Sequence, residues 1–296
     1  MAGIRSKAKS FTKRIGRAFG SSEILDNIGA MANELESIKK QSENNVGRFE
    51  ELKCRVDSLL PYLRFYYNNE AAKNIHPLLF EKYRNCNEGK ELAIVACGPS
   101  LDNYKTIKGV KHIAINRAYR KKGVKYDYIF MHDKQLIEES GSELKALKAD
   151  KFIAFATGIQ NAESFNASSE QVSSIGAKRF LISDVFIPDI NGGQFDVIQP
   201  DITKGMLFDR GGGTVFSALQ FALFTHPKKI YLVGCDCSRD GYFNGAKSTI
   251  KQLLLDKTEY LWREVKVFMD QYYPDIEIVS VNPVGLKGLF SDLYQK

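Results

Sequence analysis

The sequence predicts an α/β fold with a doubly wound, mostly parallel sheet that is preceded by N-terminal helices. An apolar segment, residues 91–96, runs straight into Gly98-Pro99-Ser100, and a second Gly-rich turn, residues 211–213, precedes an apolar helix. That helix is followed by an apolar strand whose exit carries Asp236. A strand that feeds a Gly-rich turn is typical of Rossmann-like sheets, in which we expect the turn to offer backbone amides to a phosphate.

The remaining elements alternate between strand and helix at the spacing of such a sheet. We predict strands at 91–96, 112–116, 126–131, 151–156, 179–182, 229–233 and 276–281. Predicted helices start at Asp102 and cover 134–148, 213–225 and 249–272. The irregular stretch 183–209 is long for a compact domain, which favours an active-site loop. A small hairpin through Ile187, Phe195, Val197 and Ile198 is the alternative. We place this nucleotide-binding domain at residues 88–296.

Residues 21–65 carry apolar side chains in heptad steps, in two blocks separated by a polar interval. Ile24, Ile28, Met31, Leu35 and Ile38 form the first block, and Phe49, Leu52, Val56, Leu59 and Leu63 form the second. Because such a helix needs a partner to bury its seam, we expect a homo-oligomer formed through residues 24–63. A helical hairpin packed on the domain is the alternative. Residues 66–87 break the periodicity and are predicted to be a connector.

Residues 1–20 contain six basic residues and no acidic ones, within a chain of formal net charge +7. Ile4, Phe11, Ile15 and Phe19 follow helical spacing, so one face is apolar and its flanks are basic. This pattern favours a helix lying on an anionic membrane surface, with a solvated basic tail as the alternative. No base-reading module accompanies it, so we expect no nucleic-acid partner.

The chain has 296 residues, of which 44% are hydrophobic, enough for a large buried core. Its five cysteines are few, odd in number and partly within apolar strands, which favours a reducing compartment. The N-terminus lacks the apolar stretch of a signal peptide, and the longest apolar run is too short to span a bilayer. We therefore expect a cytoplasmic protein, peripheral at the inner face of the membrane.

Polar residues follow four of the predicted strands. They are Gly98, Pro99 and Ser100; Asn116 and Arg117; His132 and Asp133; and Asp236. In an open α/β sheet ligands bind beyond the carboxyl ends of the strands, so these groups should converge on one site. Asp133, Asp236 and His132 are the catalytic candidates. Each position also has a purely structural interpretation, since turns and helix caps use the same residue types.

Several nucleotide-enzyme motifs are absent from the sequence. It has no Walker A pattern, kinase Gly-rich loop, G-x-S-x-G elbow or H-E-x-x-H. It also lacks a D-x-D metal–nucleotide motif, because Lys134 and Gln135 follow Asp133, and Cys237 and Ser238 follow Asp236. Hydrolase and ATPase functions lose support, and we expect no obligatory metal or other cofactor.

Four segments of the sequence carry a family resemblance: Gly98-Pro99-Ser100-Leu101, Ile115-Asn116-Arg117, Arg210-Gly-Gly-Gly-Thr-Val and Ile230-Tyr-Leu-Val-Gly-Cys-Asp236. Together they resemble the bacterial sialyltransferases of glycosyltransferase family 42. They are also similar to the motility accessory proteins and to the archaeal hydroxymethylpterin diphosphokinases. The resemblance covers about residues 90–285. It implies a GT-A-like variant of the Rossmann fold and a metal-independent glycosyltransferase that uses a CMP-activated nonulosonic acid. Its partners would be this nucleotide sugar and a glycan or lipid-linked acceptor at the cell surface.

Carried over by position, the resemblance implies a set of donor-binding residues. These are Gly98, Pro99, Ser100, Asn116, Arg117, Arg210, Gly212, Gly213, Thr214 and Tyr242. Two departures stand out: Cys97 replaces the family's asparagine, and residues 227–296 lack the family's histidine base. Asp133 or Asp236 would then act as base, or as nucleophile in a retaining reaction.

Alternatives to this function remain open from the sequence. The related acid Kdo is as plausible a donor sugar as sialic acid. A pterin-type diphosphokinase that uses ATP and Mg²⁺ is a second enzyme candidate. The third reading is a non-catalytic scaffold with a degenerate nucleotide fold, favoured by Cys97 and by the missing histidine.

Overall fold

The structure is a computed structural model that describes residues 22–41, 46–157, 166–183, 198–199, 201–209, 213–245, 247 and 252–295. Its contacts divide the chain into two compact units, residues 1–71 and 72–296. No helix within the described ranges is both long enough and apolar enough to cross a membrane. The basic segment 1–20 lies outside the described residues.

The first unit contains helix α1, Ser22–Gln41, and most of helix α2, Val46–Phe80. On α1, Ile28, Met31 and Leu35 are half-buried, at the heptad positions that the sequence indicated. On α2, Leu52 is buried whereas Leu59 is 42% exposed. The homo-oligomer expected through residues 24–63 stays a prediction.

The last turns of α2 belong to the second unit. Residues 66–80, which we expected within a connector, are helical instead. Ala72, His76 and Phe80 are spaced four residues apart and are all fully buried. A buried stripe at this spacing stabilises a helix through tertiary packing, and it outweighs the polar residues that suggested a connector.

Among its described residues, the second unit contains nine strands that pair in parallel throughout. They are β1 Glu91–Val95, β2 Lys111–Ile115, β3 Tyr128–Met131, β4 Asp150–Thr157, β5 Ala177–Ser183, β6 Leu207–Phe208, β7 Lys229–Val233, β8 Glu277–Val281 and β9 Ser291–Leu293. Their order is β6-β5-β4-β3-β2-β1-β7-β8-β9. The predicted doubly wound, Rossmann-like α/β fold is confirmed.

Helices cover both faces of this sheet: α3 Lys134–Ala146, α4 Ser169–Ser174, α5 Thr214–Phe224 and α6 Gln252–Tyr272. Alternate residues of each strand enter two separate cores, as the two-residue period of a strand requires. Ile94 and Phe130 pack with α5, α6 and the end of α2. Val95 and Met131 pack with α3 and α4 on the opposite face.

Two details differ from the sequence-based prediction. The helix expected from Asp102 is only a 3₁₀ turn, Pro99–Asn103. Hydrogen bonds to distant segments constrain it, because the N–H of Ser100 is bonded to Asp236 and the carboxylate of Asp102 accepts the N–H of Asn244. The short elements β6, β9 and α4 were not predicted, since two to six residues carry too little periodicity. Of the proposed hairpin, only Ile198 lies within the described residues.

The strand order fixes where a ligand should bind. From β1 the chain builds β2 to β6 on one side, and it then crosses back to place β7, β8 and β9 on the other side. The direction in which successive strands are added to the sheet therefore reverses between β1 and β7. In doubly wound sheets this switch point opens a crevice at the carboxyl ends of the strands, where ligands bind.

Candidate functional site

A cavity of about 240 Å³ lies at the carboxyl ends of β1 and β7. Its walls include five residues that the sequence singled out: Gly98, Pro99, Gly213, Asp236 and Tyr242. An apolar side is formed by Val215 of α5 and by Leu254 and Trp262 of α6. The cavity therefore combines an apolar side with polar strand-end groups, as small-molecule sites commonly do.

Ser100 and Asp236 join the exits of β1 and β7. The backbone N–H of Ser100 donates to Oδ2 of Asp236 at 2.7 Å, and its hydroxyl donates to Oδ1 at 2.5 Å. Asp236 is 4% exposed. Burial raises the pKa of this carboxyl, while both hydrogen bonds from Ser100 act in the opposite direction. The Asp236 carboxylate thus anchors the turn after β1.

Gly98 is required by the close approach of these two strand exits. A Cβ at residue 98 would collide with the Asp236 carboxylate and with the carbonyl of Gly234. Its N–H donates to that same carbonyl at 2.8 Å. No side chain larger than hydrogen fits this position without moving the turn.

The turn after β1 does not present the free amides that we expected. The N–H of Gly98 is bonded to Gly234, that of Ser100 to Asp236, and that of Leu101 to the Gly98 carbonyl. Pro99 has no N–H. The turn therefore shapes the cavity wall, and a phosphate needs other donors.

The N-terminus of α5 forms another wall of this cavity, through Gly213 and Val215. Helix N-termini favour anions because their first N–H groups and the helix dipole point toward the ligand. Asn116, at the exit of β2, donates from Nδ2 to the hydroxyl of Thr214 at 3.2 Å. Its Oδ1 accepts the backbone N–H of His132 at 3.2 Å. Asn116 thus links the ends of β2 and β3 to the start of α5.

His132 pairs with an aspartate that the sequence analysis missed. Its Nδ1 lies 3.3 Å from Oδ2 of Asp209, whose side chain is 6% exposed. Nε2 of His132 is buried and has no hydrogen-bond partner among the described residues. A histidine that is held by a carboxylate at one nitrogen and is unpaired at the other has the arrangement of a general base.

Asp209 is itself held in place from two sides. Its Oδ1 accepts the N–H of Gly213 at 2.7 Å. The preceding residue, Phe208, is paired at both its N–H and its carbonyl by the buried amide of Gln220, at 3.0 and 2.8 Å. The pair of His132 and Asp209 is therefore fixed next to the N-terminus of α5.

The sequence held a weak signal for Asp209. It follows the apolar pair Leu207-Phe208 and precedes the Gly-rich turn, which is the same pattern of acidic residue after strand that pointed to Asp236. Strand β6 has two residues, too few to be recognised by periodicity.

The other predicted site residues have contacts of their own. Asp133 is the N-cap of α3 and accepts the N–H of Gln135 at 2.8 Å. Arg117 forms a half-exposed ion pair with Glu139 at 2.5 Å. Arg210 and Gly212 lie outside the described residues.

Three cysteines also line the cavity: Cys97, Cys235 and Cys237. Burial raises the pKa of Cys97 to about 11 and that of Cys237 to about 12, so these thiols stay protonated at neutral pH. Cys97 donates from Sγ to the carbonyl of Ile115 at 3.3 Å. The thiol is thus directed at β2. The sialyltransferases that the sequence resembles have an asparagine at the position of Cys97.

Comparisons with known proteins add one structural likeness. No family model matches the chain, and no curated protein matches it. The sialyltransferase CstII from Campylobacter jejuni, solved with the substrate analogue CMP-3FNeuAc, is similar with 16% sequence identity and a TM-score of 0.40. The match covers 69% of this chain and 86% of that chain.

Proposed function

We propose that this protein is a glycosyltransferase that moves an acidic nonulosonic sugar, of the sialic acid or Kdo type, from a CMP donor to a glycan acceptor at the cell surface. The carrying observation is the pair of His132 and Asp209, which is joined to the switch-point cavity through the Asp209 carboxylate, since this carboxylate accepts the N–H of the cavity-lining residue Gly213. The motif resemblance described above adds the nucleotide and the sugar class.

The donor would lie in the cavity between β1 and β7. Its phosphate would face the N-terminus of α5, since the amides of the turn after β1 are bonded within the protein. The Tyr242 side chain, on another wall, would stabilise the negative charge of the departing CMP. The apolar side that includes Val215 and Trp262 would contact the pyrimidine or the sugar carbons.

His132 would act as the general base. As the acceptor hydroxyl oxygen bonds to the anomeric carbon, its proton moves to Nε2 of His132 while the bond from that carbon to the CMP oxygen breaks. CMP leaves with the electron pair of the broken bond. Asp209 stabilises the imidazolium that forms. This single displacement inverts the anomeric centre and needs no protein nucleophile.

In this proposal Asp133 and Asp236, which the sequence suggested as catalytic residues, have structural roles. Asp236 has both oxygens engaged by Ser100, and an oxygen of Asp133 caps α3. Such contacts lower the reactivity of a carboxylate as base or nucleophile. Asp236 would instead position the turn, and Asp133 would stabilise its helix.

Release of CMP tests the proposal directly. The full-length protein is incubated with CMP-N-acetylneuraminic acid or CMP-Kdo, with EDTA present and with a bacterial lipid-linked oligosaccharide fraction as acceptor. We expect acceptor-dependent CMP release from one donor, and none from the His132→Asn variant. Pyrophosphoryl transfer from ATP and Mg²⁺ to a hydroxymethylpterin, with no CMP release, would replace this function by the diphosphokinase. Inactivity in both assays would favour the scaffold.

A further inference from the structure

A second cavity, of about 410 Å³, lies at the same edge of the sheet, beyond the ends of β1, β8 and β9. It is lined by Asp102, Asn103, Tyr104, Lys105, Asn282 and Gln295. The 3₁₀ turn Pro99–Asn103 contributes to both cavities, since Pro99 lines the first and Asp102 lines the second. We propose that the second cavity binds a sugar unit of the glycan acceptor, an assignment that rests on the proposed function.

Asn282 provides the strongest indication of a ligand. Its backbone is in the left-handed region, with φ of 49°. Its N–H donates to the Leu293 carbonyl, and its Oδ1 accepts the N–H of Gln295, both at 2.8 Å. Its Nδ2 is buried and has no hydrogen-bond partner among the described residues. A buried amide donor without an acceptor is costly, and a ligand oxygen would satisfy it.

The walls around Asn282 are held in fixed positions. The side-chain amide of Gln295 bonds both the N–H and the carbonyl of Lys105, each at 2.8 Å. The hydroxyl of Tyr104 is engaged by Nε2 of the buried His112 at 2.8 Å, which fixes the orientation of its ring. The cavity is therefore pre-formed, which reduces the entropic cost of binding a ligand.

The chemistry of the lining selects the class of ligand. Asp102 accepts hydrogen bonds, Lys105 donates them, and Asn103 and Asn282 have amides that can do both. A ligand that matches these walls needs several hydroxyl groups, each of which donates and accepts. A sugar combines these properties, whereas an apolar ligand would leave the polar groups unpaired.

The distance of the cavity from His132 indicates which sugar unit of the acceptor it would bind. His132 follows β3 and Asn282 follows β8, four strand positions apart in the sheet. At about 4.8 Å between neighbouring strands, this separation is roughly 19 Å, more than a monosaccharide can bridge. The unit in the second cavity is thus remote from the hydroxyl that receives the new bond, so the acceptor is a chain of several sugars.

Saturation-transfer NMR on the full-length protein tests this site, with the methyl glycosides of glucose, galactose and N-acetylglucosamine as separate probes. We expect at least one glycoside to bind. Binding should weaken tenfold or more in Asn282→Gly, which keeps the left-handed backbone accessible, and in Asp102→Asn. Asn85→Gly is the matched control, because Asn85 is exposed and also left-handed, with φ of 55°.

Two results would overturn the inference: no glycoside binds the wild-type protein, or binding is unchanged in both cavity variants. Titration of the same samples with CMP separates this inference from the proposed function. Asn282→Gly should bind CMP as the wild type does. If CMP does not bind while a glycoside does, the donor assignment fails and the sugar site stands.

Discussion

Ser100 bonds to both carboxylate oxygens of Asp236, with its backbone N–H on one and its hydroxyl on the other. The two residues follow β1 and β7, the neighbouring strands between which the order of strand addition reverses. Because one wall of the candidate donor site rests on this contact, changes in either residue should affect stability and nucleotide binding together.

We predict that Asp236→Asn lowers the free energy of unfolding by about 2–3 kcal/mol, since one charge-assisted hydrogen bond is lost and the other weakens. Ser100→Ala should cost about 1–2 kcal/mol, because the amide contact remains. Both variants should bind CMP more weakly. Urea unfolding and calorimetry measure the two effects. The control is Asp240→Asn, an exposed position in the same loop, and an equal loss there would contradict this role.

For His132→Asn we expect a fall in turnover of about 10²–10⁴-fold, the usual contribution of a general base. The asparagine amide can still donate to Asp209, so CMP affinity should stay near the wild-type value. Asp209→Asn should also reduce turnover, because it leaves the histidine without its carboxylate.

The matched control for His132 is His226→Asn. His226 is paired with Asp275 on the surface, and its φ of 54° is one that asparagine tolerates. It precedes β7, at the edge of the sheet opposite the cavity. Equal losses of turnover in the two variants would refute a catalytic role for His132.

His76 should make stability depend on pH. It is fully buried, with Nδ1 near the carbonyls of Ile202 and Gly205 and with Nε2 accepting the N–H of Leu181. Burial lowers its pKa to about 4. The unfolded chain binds a proton near pH 6.5, so between these values it holds more protons than the folded state, and stability falls as pH falls.

The contribution of His76 between pH 7 and pH 5 is about 2 kcal/mol of lost stability, from this difference in pKa. His76→Gln can still donate to a carbonyl and accept from Leu181, but it does not titrate. Urea unfolding at both pH values should therefore show a smaller decrease for the variant. A decrease as large as that of the wild type would exclude His76 as the cause.

Gln220→Leu should lower the free energy of unfolding by about 2–4 kcal/mol, since it leaves the N–H and the carbonyl of Phe208 unpaired in the core. Because Phe208 precedes Asp209, turnover should fall more than CMP affinity does. A variant that is less stable but has unchanged turnover would show that Gln220 acts only on the fold.

The sequence carried enough information for the sheet and its ligand edge. Strands β1, β2, β3 and β7 are nearly continuous apolar runs, and polar residues follow each of them. This pattern alone singles out Asp236 in the sequence. Strand order was not accessible, because pairing depends on packing between distant segments.

The sequence did not reveal which polar groups have structural roles and which lie in the candidate site. Nothing local distinguishes Asp133, which caps a helix, from Asp209, which holds His132. The two differ only in what the fold places beside them. In the same way, the amides after β1 were expected to be free, and Asp236 and Gly234, more than 130 residues away, bind two of them.

Calorimetric titration of the full-length protein with CMP in EDTA tests whether a CMP-sugar occupies the cavity between β1 and β7. Ser100→Ala and Asp240→Asn are measured beside it. We predict saturable binding without metal, weakened by Ser100→Ala and unchanged by Asp240→Asn. Absence of CMP binding would exclude a CMP-sugar as the ligand of this cavity, and saturable binding of ATP in Mg²⁺ would favour the diphosphokinase instead.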